Sequence, residues 1–256
     1  MQLQEHLEQQ LHKKDILLMT HIVLGYPSFE INRRVIEQMV AAGVDSIEMQ
    51  IPFSEPMADG PVIMKANLDS LAGGTTVARC LEFGAEMART YSIPFLYMTY
   101  FNIIFKYGEE HFIGHCGQKG IAGLIVPDLP PEQSMSFFQL TARHHVAPIL
   151  IYSPTSTDER MKELDKAGKG FIYCVARRGV TGKKSELDSD FSGYLERCRR
   201  ATNKPLAVGF GIRSRQDINA LKNVADMAII GSETIRLVDS QGFEAVGPFI
   251  ADLMQN

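Results

Sequence analysis

The sequence predicts an α/β protein consisting of one (βα)8 TIM barrel over residues 1–256, with an extra helix at its N-terminus. Eight short apolar segments alternate with segments of helical period along the 256 residues. Most of these apolar segments have no polar face, which is typical of parallel strands buried on both sides. No Gly/Ser-rich or Pro-rich linker divides the chain, and α/β barrels of about 250 residues form single domains.

The strand candidates are short apolar runs separated by turn residues. They are Ile16–Val23, Ser46–Met49, Phe95–Met98, Ala122–Val126, Pro148–Tyr152, Gly170–Val175, Leu206–Phe210 and Met227–Ile230. An open doubly wound sheet is the competing arrangement. Eight evenly repeated units favour closure into a barrel.

Capping residues predict where several helices begin. Ser28 is expected to cap the first helix between strands, and Ser156 with Glu159 has the spacing of a capping box. The prolines before Glu132 are expected to open another helix. Its predicted buried stripe is Met135, Phe138 and Ala142, and the stripe Leu3, Leu7 and Leu11 predicts a helix that covers the bottom of the barrel.

Composition and charge exclude several classes of protein. The 26 basic and 30 acidic residues give a net charge of −4, so neither a broad nucleic-acid footprint nor a nucleic-acid partner is expected. The N-terminus lacks the apolar core of a secretory signal, and no uncharged run is long enough for a membrane span. The four cysteines are scattered, which is typical of reduced thiols in a cytoplasmic protein.

Glu48 ends the second predicted strand. Because side chains alternate along a strand, Glu48 lies on the side of Ser46, opposite Ile47 and Met49. If that side is the barrel interior, burial raises the pKa of the carboxyl group toward the range that suits a general acid or base. A structural carboxylate paired with a basic neighbour is the alternative reading of this position.

A constrained loop follows this strand. Residues 51–61 contain three prolines and one glycine, which exclude a helix or a strand interior. The loop carries Glu55 and Asp59, on the face where barrel enzymes place their chemistry. Asp59–Gly60 alone would indicate an ordinary turn, but the neighbouring acid at Glu48 favours a functional loop.

Glycines follow three consecutive strands near the C-terminus. They are Gly179 and Gly182, Gly209 and Gly211, and Gly231 before Ser232. Glycine lets backbone N–H groups approach an anion closely, and barrels of this kind bind phosphate after strands seven and eight. A small phosphate-bearing substrate is therefore predicted.

Three other segments resemble nucleotide-binding or metal-binding motifs but lack a residue that the motif requires. Gly182-Lys-Lys-Ser185 lacks the first glycine of a P-loop, and Gly209-x-Gly211 lacks the third glycine of a dinucleotide fingerprint. His111 and His115 stand four residues apart beside Cys116 but have no obvious fourth ligand, so no metal site is expected.

Several motifs together resemble the tryptophan synthase α subunit family. The longest is Glu48-Met-Gln-Ile-Pro-Phe-Ser-Glu-Pro-Met-Ala-Asp-Gly-Pro61, and others are Val126-Pro-Asp-Leu-Pro130, Gly179-Val-Thr-Gly182 and Val208-Gly-Phe-Gly-Ile212. The resemblance implies a cytoplasmic lyase that cleaves indole-3-glycerol phosphate to indole and glyceraldehyde 3-phosphate. It also implies an allosteric αββα complex with a β subunit. Pyridoxal phosphate (PLP) is expected only in that subunit, and no cofactor in this chain.

The resemblance also implies residue roles. Glu48 would protonate C3 of the indole, and Asp59 would hold the indole N–H and stabilise the cation that forms. Tyr173 would orient Glu48 or contact the glycerol hydroxyl. Substrate contacts are further implied for Gly182, Gly211, Gly231 and Ser232 at the phosphate, for Ile63 and Phe210 at the indole, and for Tyr100; loop and partner signalling is implied for Glu55, Asp128 and Thr181.

Several residues depart from the family's pattern, and four of them bear on the expected function. Gln50 stands where glycine is usual, Glu55 replaces aspartate and Met57 replaces leucine. These three are expected on the face that meets the partner. His21 stands where an aromatic residue is usual, and it is expected to affect indole affinity.

Two other functions stay open on the residues alone. A different sugar-phosphate barrel enzyme, such as an isomerase, accounts for the glycines but gives Asp59 no role. A weakly active subunit that mainly activates its partner is the second, and the presence of both Glu48 and Asp59 argues against it.

Overall fold

The fold is a closed barrel of eight parallel strands joined in chain order. It is seen in a computed structural model, which describes residues 2–175, 189–209 and 211–255. The strands are β1 (Leu17–Val23), β2 (Ser46–Gln50), β3 (Phe95–Met98), β4 (Gly123–Ile125), β5 (Ala147–Tyr152), β6 (Ile172–Val175), β7 (Leu206–Gly209) and β8 (Met227–Ile230). Because β1 pairs with β8, the open sheet is excluded and the predicted barrel is confirmed.

Helices surround the barrel and connect its strands. Within the described residues they are α1 (Leu3–Leu11), α2 (Phe29–Ala41), α3 (Pro61–Ala72), α4 (Val77–Thr90), α5 (Phe101–Tyr107), α6 (Glu109–Gln118), α7 (Met135–Arg143), α8 (Asp158–Ala167), α9 (Ser189–Ala201), α10 (Arg215–Leu221), α11 (Ser232–Gln241) and α12 (Val246–Met254). Two short 3-10 turns, Pro131–Gln133 and Phe243–Ala245, complete the set.

Side chains of β2 alternate between the barrel interior and the layer of helices. Ile47 and Met49 pack in the cluster formed with the helices. Ser46 lies inside the barrel, where its hydroxyl is 3.7 Å from the sulfur of Met227. Glu48 shares the side of Ser46 because the period of a strand is two. The predicted inward position of Glu48 is thus confirmed.

Helix α1 covers the bottom of the barrel, as predicted. Leu3 and Leu7 are buried against interior residues of the strands. Gly170, two residues before β6, has φ +79°. A Cβ at this position would lie 2.9 Å from Leu3 Cδ2. Glycine at position 170 therefore permits both the left-handed backbone and the close seat of α1.

We expect Leu7→Ala to lower the free energy of unfolding by about 2–5 kcal/mol, because it removes a fully buried side chain and leaves a cavity. Urea unfolding followed by circular dichroism measures this. Leu11→Ala is the matched control, because Leu11 is half-buried in the same helix. Equal losses in the two variants would contradict the proposed role of α1.

Helix capping agrees with the sequence at one predicted site and differs at another. The Ser28 hydroxyl accepts a hydrogen bond from Ile31 N at 3.2 Å and caps α2, as predicted. Thr157, not Ser156, caps α8 by accepting from Arg160 N at 3.1 Å. Ser156 instead closes a tight turn by accepting from Ser153 N at 3.2 Å. The predicted capping box was therefore wrong by one residue.

The predicted face of α7 was also wrong. The residues after Pro130 form a 3-10 turn, and Ser134 then caps a helix that begins at Met135. Its buried residues are Phe137, Leu140 and Thr141, whereas Met135 is 72% exposed. Of the predicted stripe, Met135 and Ala142 are exposed and only Phe138 packs against the core, where it is partly buried.

Candidate active site

Three polar side chains meet inside the barrel at the carboxyl ends of β1 and β2. His21 is paired with Glu48 in the strand register, and Gln50 lies two residues further along β2. Their exposed fractions are 4%, 2% and 0%, respectively. Buried polar groups of this kind normally have hydrogen-bond partners. Their contacts therefore indicate what the site is built to do.

His21 and Glu48 form a buried pair. The distance from His21 Nδ1 to Glu48 Oε1 is 3.4 Å. Burial alone would lower the pKa of His21, but the charge and hydrogen bonding of Glu48 oppose it, with smaller effects from Asp59 and Gln50. The net pKa of His21 is raised above its usual 6.5, because these contacts favour the imidazolium.

Asp59 is held over the same end of the barrel by two side chains. Gln50 Nε2 donates a hydrogen bond to Asp59 Oδ2 at 2.6 Å, and the Tyr100 hydroxyl lies 3.5 Å from the same oxygen. Ala58 N donates to the Tyr100 hydroxyl at 3.1 Å, which fixes the loop to the phenol. Burial raises the pKa of Asp59, although the hydrogen bond from Gln50 and the charge of His21 partly oppose this.

The loop between β2 and α3 is anchored at its start as well. Phe53 N donates a hydrogen bond to Asn67 Oδ1 of α3 at 3.0 Å. The Phe53 ring stacks on Tyr100 with centroids 5.0 Å apart. Tyr100 was predicted to contact substrate, and its observed contacts are with the loop that carries Asp59.

Tyr173 faces the barrel interior from β6. Burial is the main cause that raises its pKa, and the negative charges of Glu48 and Asp59 raise it further. The phenol therefore stays neutral and can donate a hydrogen bond near both carboxylates. A Cβ at Gly209 would lie 3.4 Å from Tyr173 Cε1, so glycine leaves room for this ring.

The glycines after β7 and β8 lie at one corner of the barrel. Gly209 pairs with Ile229 in the register, and Gly211 and Gly231 each stand two residues further along. Gly211 has φ +69°, a conformation that favours glycine. Gly231 immediately precedes α11, whose first residue is Ser232, so unpaired N–H groups at the start of this helix suit an anion.

Ile63 borders the glycine corner, in agreement with its predicted place near substrate. A Cβ at Gly231 would lie 3.5 Å from Ile63 Cδ1. Sequence reasoning missed Arg213 here, which lies after β7 with its Nε 3.5 Å from Glu233 Oε2. A lone arginine outside the glycine motifs gave no signal. Gly182, Thr181 and Phe210 lie outside the described residues.

The two described residues that were predicted to take part in signalling, Glu55 and Asp128, are on loops of the same face. The Phe101 N–H is shared between both carboxylate oxygens of Asp128, which follows β4, at 2.9 and 3.1 Å. Asp128 thereby ties the loop after β4 to the start of α5. Glu55 is exposed on the loop that carries Asp59.

One expectation about the sequence departures needs correction. Gln50 was expected on the face that meets a partner, but it is buried and bonded to Asp59. The effect of His21 on indole affinity stays a prediction, and its observed contact is with Glu48. The alternation Ser46, Glu48, Gln50 could have placed Gln50 inside. Met57, by contrast, is 85% exposed, as its predicted position requires.

Two other features, a metal-binding cluster and a membrane-spanning helix, are absent from the described residues. Within residues 2–175, 189–209 and 211–255, no three His, Cys, Asp or Glu side chains are grouped so as to hold a metal ion. None of the helices in these ranges is long and apolar enough to cross a membrane.

Comparison with known proteins gives one consistent family. The family model described as tryptophan synthase alpha chain matches residues 7–247. The tryptophan synthase alpha chain of Desulfotalea psychrophila is 63% identical, over 99% of this chain and 100% of its own length. The tryptophan synthase alpha chain of Desulforapulum autotrophicum is 52% identical, over 98% of this chain and 99% of its own length.

Solved structures agree with the sequence relatives. A chain of tryptophan synthase from M. tuberculosis, solved in an aminoacrylate-bound form, superposes with a TM-score of 0.88 at 26% identity, covering 98% of this chain and 97% of its own. The tryptophan synthase A-subunit of Pyrococcus furiosus superposes with a TM-score of 0.86 at 25% identity, covering 94% of this chain and 98% of its own. On these matches, this chain belongs to the tryptophan synthase alpha chain family.

Proposed function

We propose that this chain cleaves indole-3-glycerol phosphate to indole and glyceraldehyde 3-phosphate by acid–base catalysis. The observation that carries the proposal is the placement of Glu48 and Asp59 in unlike surroundings at one end of the barrel. Glu48 is buried beside a histidine, and Asp59 is bonded to an amide and lies near a phenol. Two carboxyl groups in different environments can take different roles in proton transfer.

The first step is protonation of the indole ring. Glu48 delivers a proton to C3, which becomes tetrahedral, and the ring nitrogen takes up positive charge. The Asp59 carboxylate accepts the hydrogen bond of the indole N–H and stabilises this charge. Such stabilisation is strongest in a site that is preorganised and shielded from water, and the bonds that hold Asp59 in place support it.

The second step breaks the carbon–carbon bond. The glycerol hydroxyl next to C3 loses its proton to the Glu48 carboxylate, and its oxygen becomes the aldehyde of glyceraldehyde 3-phosphate. The electron pair of the broken bond returns to the ring and neutralises the cation, which leaves indole. Tyr173 lies near both carboxylates and is the candidate donor to the glycerol chain or to Glu48.

The phosphate group supplies binding energy away from the reacting bond. Its proposed ligands are backbone N–H groups of Gly231 and Ser232, at the start of α11, and of Gly211, which follows β7. Side chains of this barrel supply all the proton transfers, so we propose that the reaction uses no cofactor in this chain. PLP is assigned to the β subunit alone.

We further propose that the carboxyl-end face of the barrel binds a β subunit in an αββα complex. Three apolar side chains on segments that follow β2, β3 and β4 support this. Met57 is 85% exposed, Phe105 67% and Met135 72%. Exposed apolar groups gathered on one face are typical of interaction sites. Since Asp128 joins two of these segments, partner binding there would reach the loops around the active site.

The test is indole release from indole-3-glycerol phosphate by the purified chain, alone and with a β subunit added. Slow release that rises with the β subunit supports both the lyase and the coupling. Fast release at the same rate with and without the β subunit would support the lyase and contradict the allosteric coupling. No release under either condition would overturn the proposed reaction.

A further inference from the structure

Three buried polar atoms at the barrel mouth have no hydrogen-bond partner among the described residues. They are His21 Nε2, Glu48 Oε2 and Gln50 Oε1. Leaving such atoms unpaired costs free energy, so a cluster of them in a native protein calls for an explanation. Each belongs to a side chain whose other polar atom contacts a neighbour within the same group.

We propose that His21 and Gln50 are positioning residues, which hold the two carboxylates of the proposed lyase in one polar cluster and leave Oε2 of Glu48 free for the substrate. This inference rests on the proposed function for its catalytic meaning. Its geometry is that of two links: Glu48 to His21, at 3.4 Å, and Asp59 to Gln50, at 2.6 Å.

The two links lie side by side. His21 is opposite Glu48 in the register and Val23 is opposite Gln50, so both supporting residues reach inward from adjacent strands. Gln50 is also among the groups that raise the pKa of His21, which places the amide next to the imidazole. The resulting order across the mouth is Glu48, His21, Gln50 and Asp59.

Charge gives a reason for this order. Two carboxylates that share one buried site repel each other, and the charge of Glu48 indeed raises the pKa of Asp59. The charge of His21 acts in the opposite direction on Asp59 and pairs directly with Glu48. Among the described residues, Tyr173 and Tyr100 are the other titratable groups beside the cluster, and burial raises the pKa of both phenols, so both stay neutral. Once Glu48 has given up its proton to the ring, a protonated His21 therefore offsets the repulsion between the two carboxylates.

The role of Gln50 is geometric. Its Nε2 donates a hydrogen bond to an oxygen of Asp59, which lies on a loop and not on a strand. A loop residue needs such support to keep its carboxylate within the tolerance that catalysis demands. Because Gln50 belongs to β2, its hydrogen bond holds the Asp59 loop in a fixed position relative to the strands of the barrel.

Variants at position 21 test the first link. Asn can place its amide N–H near the position of Nδ1, Gln can place it near Nε2, and Leu has neither. We expect His21→Asn, which keeps the donor and loses the charge, to retain more of kcat than the other two variants. His21→Gln and His21→Leu should lose about tenfold or more, a part of what acid–base catalysis supplies. The Kd for inorganic phosphate should stay unchanged in all three. Equal activity in the Asn and Leu variants would overturn the link.

Variants at position 50 test the second link. Gln50→Met keeps the volume and loses the donor, and Gln50→Glu places an acceptor against Asp59. We expect kcat to fall about tenfold in the first and further in the second, with phosphate binding unchanged. Ser46→Ala is the matched control, because Ser46 lies two residues before Glu48 on the same side of β2 and its hydroxyl is 3.7 Å from the Met227 sulfur, a contact outside the two links. Unchanged kcat in Gln50→Met would overturn this assignment.

A readout that needs no turnover separates this inference from the proposed function. The ring signals of His21 can be followed by NMR against pH in the full chain. We expect the pKa of His21 to fall in Glu48→Gln and, by less, in Gln50→Met, since both replaced groups raise it. Ser46→Ala should leave it unchanged. If no variant moves the titration, the cluster is refuted; if it moves but wild type releases no indole, only the proposed reaction fails.

Discussion

We expect Glu48→Gln to lower indole release by about a thousandfold or more. The glutamine keeps the shape of the side chain and cannot exchange a proton, so both the protonation of C3 and the removal of the hydroxyl proton are lost. General acid–base catalysis contributes about a hundred- to ten-thousand-fold to rate, and here one group serves in both steps. Single-turnover measurements with indole-3-glycerol phosphate give the rate of the chemical step directly.

Binding measurements distinguish a chemical role of Glu48 from a structural one. The proposed phosphate ligands Gly211, Gly231 and Ser232 lie after β7 and β8, away from Glu48 on β2. Calorimetric titration with inorganic phosphate should therefore give the same Kd in the variant as in wild type. Parallel loss of phosphate binding and turnover would mean that Glu48 supports the fold of the barrel mouth rather than the chemistry.

The strands could be predicted from the sequence because their apolar runs are buried on both faces. Each predicted run overlaps the observed strand, and the inward position of Glu48 follows from the period of two. The same period extends to Gln50, which nevertheless was assigned to the partner face. That assignment followed the resemblance of the surrounding motif, whereas the alternation within β2 places the side chain in the interior.

The contacts of the loops could not be predicted. Asp59 was found from its place on a constrained loop, but its bonds to Gln50 and Tyr100 depend on how the segment folds back. Tyr100 follows β3, 41 positions from Asp59 in the sequence. No local pattern indicates that such distant residues meet. Likewise, the hydroxyls of Ser156 and Thr157 are equivalent in sequence, and only the turn at Ser153 decides which one caps α8.

The acidic side of the pH profile bears on Asp59. Its carboxyl group must be ionised to stabilise the cationic ring, and burial raises its pKa above the usual 3.8. Protonation on lowering the pH therefore removes the stabilising charge earlier than it would for an exposed aspartate. We expect wild-type kcat to decline as the pH falls through this raised value, and Asp59 to contribute to that decline.

Asp59→Asn is the variant that isolates this charge. Asparagine keeps an oxygen that can accept the hydrogen bond from Gln50, so the loop retains its anchor while the negative charge is lost. We expect kcat to fall by about a hundred- to a thousandfold, as for removal of one group that stabilises charge in a transition state. The residual activity should also lose the part of the acidic decline that Asp59 causes. A change in kcat of less than about twofold would remove Asp59 from the mechanism, because a hydrogen bond without charge would then suffice. A large loss with an unchanged pH profile would assign Asp59 to positioning of the loop, since the charge it carries would not be what the reaction uses.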